Sequence, residues 1–170
     1  MREALEPAWL MAYRAETTWS TEIQEICLGA LVFLFDAAPT LKHLPEAGDD
    51  RLVAVWGRSG LPPQKRDRAR MAGLLPTPRL WSGSGLDRGH FVAHAAGGGL
   101  DLNLFPQLSL LNRGWSRQGR LWRQLERYAA RNPGTPLFVR PIYHDDSWRP
   151  SALEFGLISE GTFTVERFIN

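Results

Sequence analysis

Cysteine is almost missing: Cys27 is the only one in 170 residues, which excludes an internal disulfide and a thiolate zinc site. Long apolar runs are missing too. The longest, Leu28 to Phe35 closed by Asp36, falls far short of the roughly 20 residues that span a bilayer, so no membrane helix and no membrane partner is expected. It has no basic lead-in either, because Glu16, Glu22 and Glu25 precede it. A signal peptide is therefore not read, and any export needs a specialised secretion route. Internal repeats and low-complexity segments are absent.

What remains is globular. Apolar residues make up 44% and charged residues 22%, with seven Trp and eight Phe, enough to bury a core in a chain of one-domain size. Residues 1–170 read as one domain. The net charge of +2 conceals an asymmetry: residues 1–50 hold three basic and nine acidic residues, the rest seventeen basic and nine acidic. A basic portion behind an acidic one points to a polyanion met by the later part, unless it is only an unevenly charged solvated surface.

Along the chain, apolar residues at mixed helical spacing from Leu5 to Phe35 predict a helix, with Ile23, Ile26, Cys27, Ala30, Leu31 and Leu34 on one stripe. Residues 37–50 read as a loop. Arg51 to Trp56 reads as a strand ended by a turn at Gly57 to Gly60. Residues 61–85 are rich in proline and basic residues and read as loop. Asp87 to Ala95 is extended, and Gly97 to Gly99 turns the chain. Leu108 to Arg131 is helical in part and strongly cationic. Leu137–Tyr143, Ala152–Ile158 and Phe163–Phe168 read as three strands. The class expected is α+β, a mostly antiparallel sheet flanked by helices.

The chemistry concentrates in Asp87-Arg88-Gly89-His90, followed by Asn103-Leu104-Phe105-Pro106-Gln107 and Asn112-Arg113-Gly114. Phosphodiester hydrolysis needs a base for water, a cation near the leaving oxygen and positive charge for the transition state. His90 is the candidate base, since an imidazole titrates near neutrality. Asn112 offers a hard amide oxygen suited to magnesium. Arg88 can fork onto a phosphate oxygen, and Asp87 can orient an imidazole or pin Arg88. Each residue alone has an ordinary structural use; their ordered cluster is what points to catalysis.

In these strings the chain resembles the DNA/RNA non-specific endonucleases, the DRGH branch of the ββα-metal (His-Me finger) nucleases. DRGH at Asp87 to His90, the NxxPQ-like string at Asn103 to Gln107, LNRG at Leu111 to Gly114 and WRQLE at Trp122 to Glu126 follow the family order. The resemblance implies a ββα-metal core and a magnesium-dependent cut of DNA or RNA that leaves 5′-phosphates, with manganese as a substitute metal. It makes His90 the base, Asn112 the metal's only direct protein ligand and Arg88 a phosphate or transition-state contact. Asn103 and Gln107 support or line the site, and Glu126 is an acid that holds the metal's water shell. Some proteins of this layout are delivered toxins with an immunity or inhibitor protein in the maker. A nucleic-acid-binding protein without catalysis is the alternative.

One departure concerns Glu126. About six residues more than the compact family pattern lie around Trp115 to Arg120, and one unbroken helix from Asn112 to Glu126 would set the two about 21 Å apart. An irregular Gly114 to Gly119, with a helix starting near Gln118, would shorten that path. An upstream arginine of the family has no motif here, leaving Arg58 and Arg79 as candidates. Arg113, Arg117, Arg120, Arg123 and Arg127 are expected to meet phosphates without reading sequence. Trp81, Trp115 and Trp122 offer rings that stack on bases, but core packing is the commoner use of tryptophan, and no site is assigned to them. His94 either lines the cleft or merely follows the strand alternation from His90. His144, Asp145 and Asp146 read as a polar turn, and His43 has no visible partner.

Overall fold

The computed structural model describes residues 2–16, 22–37, 51–62, 85–144 and 149–170. Helix α1 (Arg2–Glu16) is followed by strands β1 (Glu22–Leu28), β2 (Leu31–Ala37) and β3 (Arg51–Arg58). Strand β4 (Leu86–His90), a 3₁₀ turn (His94–Ala96), a second (Asp101–Asn103) and strand β5 (Leu104–Leu108) come next. The chain continues through the one-turn helix α2 (Ser109–Asn112), helix α3 (Arg117–Arg131) and strands β6 (Pro136–Ile142), β7 (Ala152–Ser159) and β8 (Thr162–Ile169). Six strands form one sheet in the order β1-β2-β3-β6-β7-β8, every neighbouring pair antiparallel. β4 and β5 form a separate antiparallel ribbon. The class is α+β. No helix among the described residues is long and apolar enough to cross a membrane.

The helix expected from Leu5 to Phe35 is corrected to α1 plus a hairpin. Ile23 and Ile26 share a helix face, but three residues apart in a strand they point to opposite faces. Ile23 packs under α1 and Ile26 on the other side of the sheet. β2 is buried on both faces, which produces the continuous apolar run that imitates a buried helix. Gly29, at φ +63°, makes the turn between the two strands. The loops expected over residues 37–50 and 61–85 lie mostly outside the described residues, as do His43, Arg79, Trp81, Asp145 and Asp146.

The sheet carries one apolar cluster on each face. Trp9 and Tyr13 of α1 pack on Leu34, Val53, Ala54, Trp56, Phe138 and Tyr143. Tyr13 Oη donates to Asp36 Oδ2 at 2.7 Å, giving that buried carboxylate a partner. The opposite face meets α3 and the ribbon through Phe91, Phe105, Leu111 and Trp122. A bulge shifts the β2–β3 register between Leu34 and Phe35. It explains why Leu52 and Val55 face α3 while Val53 and Ala54 both face α1.

Everything that will form the site is an excursion between two adjacent strands. β3 ends at Arg58 opposite Pro136 of β6, and Ser59 closes the base of the excursion: its N–H donates to Thr135 O at 2.9 Å and its Oγ to Asn132 O at 3.0 Å. The ribbon and helices therefore leave the sheet and return at one point.

Candidate active site

DRGH forms β4, and its register sets Asp87 opposite Gln107, Gly89 opposite Phe105 and His90 opposite Leu104. The glycine is dictated by packing. A Cβ at Gly89 would stand 2.2 Å from Gln107 Oε1 and 2.5 Å from its Cβ. Gln107 thus lies over Gly89, wholly buried, and neither polar atom of its amide finds a hydrogen-bond partner among the described residues.

Asn103 is a clamp. Its Oδ1 accepts from Val92 N–H at 2.9 Å, and its Nδ2 donates to Val92 O at 2.7 Å and Gly99 O at 2.9 Å. The three bonds fix the loop from Phe91 to Gly99, which carries Ala93, His94 and Ala95 into the cleft that His90 and Asn112 also line. His94 Nδ1 lies 3.2 Å from Gly98 O, so a proton on Nδ1 donates to that carbonyl and sets the ring's orientation. Both residues support the cleft from behind; neither Asn103 nor Gln107 lines it.

After β5 the chain makes the single turn α2, ending at Asn112. Gly114, at φ +74°, reverses it, and the Trp115 and Ser116 N–H groups both donate to Leu110 O, at 3.0 and 3.3 Å. Ser116 Oγ then accepts from Gly119 N–H at 2.8 Å and caps α3. Inside α3, Gly119 touches the turn: a Cβ there would sit 2.2 Å from Leu110 O and 3.0 Å from Gly114 Cα. This close approach folds α3 back along α2. Gly119, Trp122, Glu126 and Ala129 form the buried stripe of α3, and Trp122 anchors it with edge-on contacts to Phe155 and Phe168, both at 5.2 Å between ring centroids. The break spans residues 113–116, and the helix begins at Arg117, close to the start near Gln118 read from the sequence.

The result is a cleft of about 460 Å³ lined by His90, Ala93, His94, Ala95, Asn112, Arg113, Arg123 and Glu126. Asn112 and Glu126, fourteen residues apart, therefore face one space. Asp87, outside the lining, holds Asn112 and Arg113. It accepts from Asn112 Nδ2 at 3.1 Å and from Arg113 Nε at 2.7 Å, with a second bond to Arg113 Nη2. Burial alone would raise the Asp87 carboxyl, but the bonds from Arg113 and Asn112 hold it below its ordinary value. Since Nδ2 of Asn112 is committed to Asp87, Oδ1 is the atom left to accept. At Glu126, burial pushes the carboxyl above its ordinary range against the pull of Arg123, whose Nη1 lies 3.2 Å from Oε2.

Other residues singled out in the sequence lie elsewhere. Arg88 is half-buried on β4 and does not line the cleft. Arg117, Arg120 and Arg127 are exposed on α3 outside it. Arg58 donates to Gly134 O at 2.9 Å at the foot of the excursion. Asn170 has no sequence signal, and Trp115 stands out in the sequence without being given a site. Asn170 grips β5, its Oδ1 accepting from Leu108 N–H at 2.8 Å and its Nδ2 donating to Pro106 O at 3.0 Å and Pro150 O at 2.8 Å. Trp115, 62% exposed, stacks on the Arg113 guanidinium at 4.7 Å.

Among the described residues, no group of three or more His, Cys, Asp and Glu side chains is placed to hold a metal. The donors present, one amide oxygen and one buried carboxylate in an open cleft, fit a hard ion that keeps most of its own water. Neither a scan of protein-family models nor a search of curated proteins returns a match to this chain.

Proposed function

We propose that this chain is a magnesium-dependent, sequence-non-specific endonuclease with a ββα-metal core, in which the β4–β5 ribbon supplies the two strands and the segment after it the helix. The observation that carries the reading is the convergence of His90, Asn112 and Glu126, from three separate elements, on one cleft edged by Arg113 and Arg123. A binding surface has no use for a buried histidine and a buried carboxylate that line one cleft with an amide.

The chain's own groups divide the work. His90 takes a proton from the attacking water, the water oxygen bonds to phosphorus, and the bond from phosphorus to the 3′ oxygen breaks, leaving a 5′-phosphate and a 3′-hydroxyl once that oxygen is protonated. Asn112 Oδ1, aimed by the bond to Asp87, would hold magnesium, with manganese as a substitute, and Glu126 would hold water of the ion's shell. When bound, the ion supplies positive charge to the phosphate. Arg113 and Arg123 add fixed positive charge where negative charge grows, while the exposed arginines of α3 hold flanking phosphates without reading bases. Arg88 contacts the phosphate only if the substrate reaches beyond the cleft lining.

Unselective cutting makes such a chain dangerous to its own cell, which supports a toxin role with an immunity or inhibitor protein as partner. Incubation with plasmid DNA and total RNA, in magnesium and in chelator, tests the activity. Degradation of either polymer only in magnesium, with 5′-phosphate ends, is the expected result. Polymers that are retarded on a gel at low salt but stay whole would reverse the reading in favour of a non-catalytic nucleic-acid-binding protein.

A further inference from the structure

Among the described tryptophans, Trp9, Trp56 and Trp122 are buried, whereas Trp115 is 62% exposed and belongs to neither apolar cluster. Its position is nonetheless fixed. The turn at Gly114 and the N–H bonds of Trp115 and Ser116 to Leu110 O hold its backbone. The Arg113 guanidinium lies over the indole, 4.7 Å from the ring centroid, and that guanidinium is itself clamped by the Asp87 carboxylate. A large aromatic ring kept in water and stiffened by a stacked cation serves no packing purpose. It stands three residues from Asn112 and does not itself line the cleft, but the Arg113 side chain it stacks on does.

We infer that Trp115, backed by Arg113, is a stacking platform for one unpaired nucleobase next to the scissile phosphate, so that single-stranded DNA or RNA is preferred over duplex. The inference rests on the nuclease reading above and adds the substrate's form. Every base offers a π face, so a stacking platform is indifferent to sequence, but a base inside a duplex already has both faces covered. The exposed Arg117 and Arg120, in the first turn of α3, give the flanking phosphates a place beside the ring. The chain's basic residues suit this use: all are arginines except Lys42 and Lys65, and the planar guanidinium stacks as well as pairs.

The test compares steady-state cleavage of a single-stranded oligonucleotide and of the same sequence as a duplex by the intact chain, Trp115→Ala and Trp115→Phe. The expected result is a single-strand KM raised roughly 5- to 50-fold in Trp115→Ala, with kcat within about twofold, recovery of most of the loss in Trp115→Phe and no change on duplex. In chelator, where nothing is cut, quenching of 2-aminopurine in the single strand should be strong with the intact chain and lost in Trp115→Ala. An unchanged single-strand KM in Trp115→Ala, or an equal rise on both substrates, overturns the platform and leaves the nuclease reading standing. Failure of the intact chain to cut either substrate in magnesium overturns both.

Discussion

At Glu126, burial acts against the charge that the cleft's proposed work requires. Its carboxyl is raised in the folded chain, whereas an unfolded glutamate titrates at about 4.3. Below that pH both states hold the proton and the residue costs nothing. As pH rises through the window up to the folded value, the unfolded chain releases the proton first and stability falls. Glu126→Gln should therefore raise Tm at pH 7, by roughly 2–4 °C for each kcal/mol relieved, give no gain at pH 4, and suppress cleavage. Equal Tm changes at the two pH values in calorimetry would contradict the assignment. Asp87 has the opposite sign: its lowered carboxyl adds stability above about pH 4 that is lost as pH falls through the folded value. At this scale the sequence was informative where chemistry is local. DRGH and Asn112 were legible because residue type and order carry their meaning. Trp115 was not, because a tryptophan's identity does not say whether it packs or stays in water, and Asn170 acts on residues more than sixty positions away.

Between elements, tight packing rather than intrinsic propensity decides the geometry. Gly119 lies inside α3, where alanine would ordinarily be better by about 1 kcal/mol, yet a Cβ there would meet Leu110 O at 2.2 Å. Gly119→Ala should cost about 1–3 kcal/mol in urea denaturation and lower cleavage by shifting Glu126 away from Asn112; a stabilised, fully active variant would show that the close approach is unimportant. Asn170→Ala should free one edge of β5, measured as faster amide exchange at Leu108 and a reduced turnover rate with the six-stranded sheet intact. Unchanged exchange at Leu108 would remove Asn170 from the account. The break between α2 and α3 was readable from two glycines, Gly114 and Gly119. The hairpin at residues 22–37 was not, since β2 is covered on both faces and its apolar run has no period to distinguish strand from helix.

Taken whole, the molecule is a six-stranded antiparallel sheet that holds its candidate site as an excursion closed by Ser59. The antiparallel class and the last three strands were legible from turn residues and alternation; the contribution of the acidic first fifty residues to the same sheet was not, because pairing partners are distant in sequence. The basic surface has a measurable consequence. If Arg117, Arg120 and Arg127 meet phosphates, nucleic-acid affinity in chelator should fall linearly with salt on logarithmic axes, and each Arg→Ala change should reduce the slope by about 1; an unchanged slope would leave those arginines as mere solvated surface. The central claim, that one cleft performs the cut, is tested most directly by single-turnover cleavage of plasmid in magnesium with His90→Ala and Asn112→Ala beside the intact chain. The account predicts rates lowered at least about 100-fold in both variants, with low-salt binding in chelator retained. Variants that cut as fast as the intact chain would contradict it.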